Sequence, residues 1–281
     1  MENYFSVSFN DGIKRVRNEF PASEAEKAFR AGNYDAIAEL VPWGDMGKYF
    51  EKAVDVLGAS AQQAAEIEQR GLPDQFTNRL RLTTQNEQLD EYLNVRTGAL
   101  VQGIQEDTQV MVQNAVRGAF TSGMTPADVA AQIKSSIGLD ERRATALQNF
   151  QGTKQQKREY AARLQDARNI TIARTEISFA TNKGQLAVYQ AMKEQGLVAA
   201  NAEKVWIVDG KPCPNICDAM EDFHVPVDAM FTLPNGEQVL CPPAHPNCRC
   251  LLSLDVGDAP QSGRPGDEEE ADEYDEEQTY E

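Results

Sequence analysis

At 281 residues the chain is long enough for one large or two ordinary domains, and 41 % hydrophobic with 25 % charged residues is the composition of a folding sequence. Its formal net charge of −17 is unevenly placed: residues 266–281 hold ten acidic groups and no basic one, leaving −7 for the rest (−17 less those ten negative charges). That balance argues against broad, salt-dependent wrapping of DNA, which needs Lys and Arg to displace counterions.

Residues 1–7 lack the basic start and apolar core of a secretory signal. No run approaches the ~20 apolar residues of a membrane span. The chain is therefore expected to stay in a cytoplasm, with its cysteines reduced. Residues 1–95 read as helices joined by short loops. Ser23 offers an N-cap with Glu26 three residues on as its capping-box partner, and the helix is expected to stop near Gly32. Residues 35–41 form a second short helix, ended by Pro42, Trp43 and Gly44. A third, over 46–66, places Phe50, Val54, Leu57 and Ala61 near helical spacing. Between 70 and 88, Gly71, Pro73 and a polar run suggest a loop or extended connector.

A helix is predicted over 89–119, carrying Leu93, Leu100, Ile104, Val110, Val112 and Val116, and broken by the glycine-flanked 118–123. Thr125, Pro126 and Asp128 are the N-cap, first-turn proline and first-turn acid of a short helix. Val129, Ile133 and Ile137 lie on its inner face and Gly138 ends it. Asp140 caps another helix through Leu147 and Phe150. Residues 154–196 are the longest helical stretch, with a break expected near Asn169. Along it Ile170, Ala173, Ile177, Ala180, Gly184, Ala187 and Ala191 step by three and four, a heptad-like seam of small side chains. Such a seam lets another helix approach closely, within the chain or between subunits. Arg174 and Glu176 interrupt the apolar pattern and are expected to pair with groups elsewhere in the fold. Lys154, Lys157, Arg158, Arg163 and Arg168 form the best local basic run, read as a solvated helix face.

After Gly196 the periodicity becomes that of strands. Residues 205–208 form one, 230–233 and 237–240 flank an Asn235-Gly236 hairpin turn, and 249–255 form the last. All five cysteines and both histidines fall between 211 and 252. Thiolates and imidazole are the ligands Zn²⁺ prefers, and two close-spaced clusters split by a hairpin are a usual way to supply four of them. Four of Cys213, Cys217, His245, Cys248 and Cys250 are expected to hold a structural Zn²⁺, with Cys241 spare and His224 an ordinary surface or packing residue. No His-Glu-x-x-His, no deaminase signature, no phosphate loop and no Ser–His–Asp set is present. No catalytic residue is assigned.

The expected fold is therefore mainly α: an elongated helical body with a small C-terminal antiparallel β, zinc-stapled module and an acidic disordered tail. Its divisions are an N-terminal helical region 1–95, a helical core 96–200, a zinc-binding β module 201–256 and a tail 257–281, too polar to bury a core. A second class of reading is a zinc-containing DNA-binding protein using the Lys154–Arg168 run. A third is a metal-dependent hydrolase.

Ile172-Ala-Arg-Thr-Glu176, Ala180-Thr-Asn-Lys-Gly184, the Val205-Trp206 strand, a cysteine pair and Pro242-Pro-Ala-His-Pro-Asn-Cys-Arg-Cys250 follow one another in that order. Together they resemble the Mu F-like phage head-morphogenesis family, the minor head proteins of tailed bacteriophages, over residues 100–255. The family's first pair is commonly Cys-x₂-Cys, whereas Cys213 and Cys217 have three residues between them. The resemblance implies a low-copy structural protein of the prohead and virion, inside the capsid or at the portal vertex, and in the host cytoplasm during assembly. It implies the portal protein or major capsid protein as partners, with packaged DNA and further copies of the chain beside them. The roles implied are capsid assembly, DNA packaging or DNA delivery.

Overall fold

The computed structural model describes residues 1–42, 44, 46–81, 87–122 and 124–257. Helices α1 (Glu2–Glu19), α2 (Ala22–Arg30), α3 (Asp35–Glu39), α4 (Met46–Gly71), α5 (Asp74–Thr77), α6 (Glu87–Ser122), α7 (Pro126–Ser136), α8 (Glu141–Asn149) and α9 (Lys154–Glu194) precede strands β1 (Glu203–Ile207), β2 (Phe223–Pro226), β3 (Phe231–Thr232), β4 (Gln238–Val239) and β5 (Leu251–Asp255). The chain is thus mainly helical with small antiparallel sheets at its end.

The helices are organised around α4 and α9. Helix α1 turns Phe5, Phe9, Ile13 and Val16 inward at steps of three and four, a single apolar stripe. Phe9 stacks on Phe50 of α4 with ring centroids 4.9 Å apart. On its other side α4 meets the small-residue seam of α9. A Cβ built at Gly184 would lie 2.1 Å from the Ala61 carbonyl oxygen, so the two backbones touch where only glycine leaves room. The seam is therefore an intramolecular contact. Ala173, Ile177, Ala180 and Gly184 are buried in it, while Ile170 is 49 % exposed and lies off it.

Local chemistry sets most helix ends. Thr125 Oγ1 accepts from the Asp128 N–H at 3.2 Å and Asp140 accepts from the Arg143 N–H at 2.8 Å. Gly138, at φ +81°, ends the turn after α7. Helix α9 opens with a capping box that the sequence pattern did not reveal: Thr153 accepts from the Gln156 N–H, and the Gln156 side chain returns to the Thr153 N–H. The expected Ser23–Glu26 box does not form. Pro21 already begins the turn, its carbonyl accepting from the Glu24 and Ala25 N–H groups, which puts Ser23 inside α2; Glu26 pairs with Arg30 instead. The break expected near Asn169 is absent as well, because buried Asn169 accepts from the Gln165 amide one turn back at 2.7 Å. The connector after Gly71 contains the short α5. Trp43, the side chain of Leu93, residues 82–86 and the acidic tail beyond residue 257 lie outside the described residues.

The strands form two sheets where a single one was expected. β1 is central, antiparallel to β2 and to β5; β3 and β4 form a separate hairpin. β2 has no counterpart among the expected strands, because Phe223-His-Val-Pro226 buries no side chain fully and leaves no period to read. Trp206 and Phe231 pack edge to face at 5.1 Å in the core of the module. That core is continuous with Leu186, Val188, Tyr189 and Met192 of α9, so α9 belongs to both hydrophobic cores and joins them.

Candidate metal centre

Two loops converge on the side of α9. In the first, the Asp218 N–H donates to the Cys213 carbonyl and the Met220 N–H to that of Cys217, which curls the chain so both thiols face the same way. In the second, the Cys248 N–H donates to the His245 carbonyl at 3.1 Å, and Asn247 takes the left-handed conformation at φ +62° that asparagine tolerates. This turn is clasped to the helix. The Asn247 N–H donates to Thr175 Oγ1 at 3.1 Å and its side-chain amide to Thr171 Oγ1 at 3.4 Å; Arg174 donates to Asn247 Oδ1 at 3.3 Å. Further along, the Asn182 amide donates to the Cys250 carbonyl at 3.2 Å. The only mark of the threonine and asparagine roles in the sequence is polar residues one turn apart beside a small-residue seam.

The convergence places donors in two groups that share Cys217: Cys213, Cys217 and His245, and Cys217, Cys248 and Cys250, each with donor atoms within 4.8 Å of one another. Cys217 Sγ is 3.1 Å from His245 Nε2 and 3.6 Å from Cys248 Sγ. Ligands on one tetrahedral Zn²⁺, with bonds of about 2.0–2.3 Å, stand about 3.5–3.8 Å apart, so these atoms fit one ion after small shifts. His245 Nδ1 lies 2.9 Å from the Pro246 carbonyl, which leaves Nε2 free to act as a ligand. A cavity of about 200 Å³ opens over the cluster, with Asp209, Lys211 and Arg249 at its mouth.

The proton affinities are those of crowded sulfurs. Burial pushes the Cys217 thiol up to about 12, and neighbouring Cys248 adds to this. A hydrogen bond from Cys250 brings Cys248 down to about 5, and the same bond raises Cys250. Burial acts upward on Cys213, but N–H groups of Cys217 and Ile216 and the nearby His245 outweigh it and hold the thiol below its ordinary value.

The other chemistry-bearing residues stand apart. Cys241 is buried beside Lys183 and Lys204 and belongs to neither donor group; burial pushes its thiol up to about 11. His224, on β2, faces Glu203, Asp222 and Asp255 at 3.3–3.9 Å. Glu176, 4 % exposed, receives two hydrogen bonds from Arg96, at 2.8 and 2.7 Å, and Arg96 also lies over the Phe179 ring. Arg174 reaches Glu2 at 3.8 Å as well as Asn247. Arg168 is withdrawn from the basic run, buried against Asp107 at 2.6 Å.

Among known protein families, the one described as Phage Mu protein F like protein matches residues 110–253, about half of the chain. No curated protein and no solved structure matches it.

Proposed function

The chain belongs to the Phage Mu protein F-like family, and from that premise we propose that it is a structural head-morphogenesis protein of a tailed phage, bound at the portal vertex or inner shell and acting in assembly, packaging or DNA delivery. The observation that carries the reading is the clasp between Asn247 and Thr171, Arg174 and Thr175, because it makes the cysteine loop part of the helical body. A loop held that way serves to fix surfaces in place. No helix among the described residues is long and apolar enough to cross a membrane, and the partners we propose are the portal and major capsid proteins. The test is co-sedimentation of the full chain with cognate portal and, separately, with prohead shell at micromolar concentration. Binding to either supports the reading; failure with both overturns it.

We further propose that Cys213, Cys217, His245 and Cys248 hold a structural Zn²⁺. Cys217 contacts both His245 and Cys248, and Cys213 lies with Cys217 and His245, whereas Cys250 is grouped with Cys217 and Cys248 alone. Cys250 then donates its S–H to the Cys248 thiolate, which neutral packing against Trp206 accommodates. The ion would supply a closed cross-link between the two loops, holding together a module whose strands are two to five residues long.

A further inference from the structure

The basic run of the long helix acquires a different membership in three dimensions. Arg163 lies over the Tyr160 ring and Arg168 is buried against Asp107. Lys154, Lys157 and Arg158 at the start of α9 instead line a groove of about 570 Å³ together with Arg17 of α1 and Lys134 of α7. Among the described residues Asp128 is the one carboxylate lining it, and it is engaged with Lys154 at 3.6 Å and with the Thr125 hydroxyl. The other four cations have no carboxylate partner among those residues. Arg17 donates only to neutral oxygens, the Ser135 and Ile137 carbonyls and Gln165 Oε1, and Lys157 reaches only the Gln132 amide oxygen. In a chain of net charge −17, surplus positive charge gathered in one groove calls for an anionic occupant. Met124 and Ala131 add apolar surface, and no described aromatic ring lines the groove on which a base could stack. The chemistry that fits is an acidic peptide carrying a few large side chains.

We infer that the groove receives residues 272–281 of the same chain, its own acidic C-terminal segment brought back along α9. That segment offers Asp272, Glu273, Asp275, Glu276, Glu277 and Glu281 to the cations, and Tyr274 and Tyr280 to the apolar surface. Its reach is sufficient. Gly257 packs beside Ala199 and Asn201, just beyond the C-terminal end of α9. From Glu194 back to Gln165, which holds Arg17, the helix runs ~44 Å, and back to Arg158 ~54 Å, at 1.5 Å per residue. Extended chain from Gly257 covers ~50–54 Å to residue 272 and ~79–86 Å to residue 281, so the segment spans both levels with length to spare. A relaxed coil of that length has a mean end-to-end distance of only ~20–27 Å, but the like charges of 267–270 repel one another and extend it. Even with the stretch, the tether holds the segment at an effective concentration on the order of 0.1 mM. A segment from another copy at micromolar concentration is outcompeted about a hundredfold, which is what commits the groove to its own chain. Tethering also overcomes the repulsion that a free polyanion meets from the net negative charge.

The test is fluorescence anisotropy of a fluorescein-labelled peptide of residues 272–281, added to full-length chains at micromolar concentration and low salt. In one chain the Asp and Glu of residues 267–281 are replaced by Asn and Gln, which empties the groove of its own segment. This chain is expected to bind the peptide, and the parent at least about tenfold more weakly, because its groove is already filled. Adding Lys134→Glu with Arg158→Glu to the neutral-tail chain should abolish binding. Adding Lys52→Glu with Arg79→Glu, the same change of charge at exposed sites outside the groove, should not. Salt at about 1 M, where the Debye length is about 3 Å, should release the peptide. Equal binding to the parent and the neutral-tail chain overturns the inference, as does no binding to either, or binding that the two charge reversals weaken alike. Sedimentation velocity of the parent decides between copies: self-association at low salt that is lost both on groove reversal and on tail neutralisation overturns the inference in favour of a second copy. A short DNA duplex that binds the parent as tightly as the neutral-tail chain, and is released by groove reversal alone, overturns it in favour of nucleic acid.

Discussion

Gly184→Ala puts the helix crossing on trial. The added Cβ would stand 2.1 Å from Ala61 O, 3.0 Å from Ala61 C and 3.1 Å from the Ala64 Cβ. Carbon–oxygen contacts rarely close below ~3.3 Å, so α4 and α9 must part by about 1 Å at that point. Overpacking of this kind costs ~1–3 kcal/mol, and the upper end applies because the obstacle is backbone and cannot rotate away. Alanine returns ~1 kcal/mol through its better helix propensity. The net loss is ~2 kcal/mol, which for a chain of this size lowers the melting temperature by ~4–8 °C. Gly103→Ala in α6 is the internal control, since nothing lies within 4 Å of its Cβ and only the propensity gain remains. Thermal melts followed by circular dichroism at 222 nm, with urea titrations beside them, read both. Opposite signs for the same substitution support the crossing; Gly184→Ala melting at or above the parent temperature refutes it.

Three further outcomes are expected. The purified chain should carry about one equivalent of zinc, retained in Cys250→Ser and Cys241→Ser but lost in Cys217→Ser; metal content and the absorption of the cobalt-substituted chain measure this, and zinc retained by Cys217→Ser sinks the ligand assignment. Glu176→Gln removes the buried carboxylate that accepts two hydrogen bonds from the Arg96 guanidinium; because Arg96 is 30 % exposed, the loss should fall near ~2 kcal/mol, below the ~3–5 typical of a fully buried pair, and a urea midpoint unchanged from the parent would contradict it. Lys204 is fully buried, its ammonium donating to the Val227 carbonyl at 2.8 Å above the Phe231 ring, and burial lowers its pKa to about 8 while Cys241 and Asp228 pull it up and Lys183 pushes it down. Between about 8 and the unfolded value of ~10.4 the unfolded chain binds the extra proton, so stability rises with pH there. The stability of the native chain relative to Lys204→Met should accordingly be flat from pH 6 to 7 and move in the native chain's favour from pH 8 to 10; a flat difference across the upper window refutes it.

Much of this protein is written in local chemistry. Thr125, Asp140 and Gly138 set helix ends through groups within three residues of themselves, and the seam from Ala173 to Gly184 announces a close helix neighbour by size alone. The order of Arg-Thr-Glu and His-Pro-Asn-Cys-Arg-Cys motifs carries the family. Where local signals compete, the pattern misleads: Ser23 has the right identity for a cap, but Pro21 starts the turn first.

What tertiary structure alone decided is which distant groups meet. Nothing within the pattern pairs Asn247 with Thr171 and Thr175, or Glu176 with Arg96, since each partner lies more than seventy residues away. The same holds for Arg17 and Lys134, scattered cations that become one groove with Lys157 and Arg158 only when α1, α7 and α9 pack. Side-chain identity and spacing determine how a segment folds and which face it must bury. Which face it then meets depends on the closure of long loops around a shared core, a property of the whole chain that no window of sequence contains.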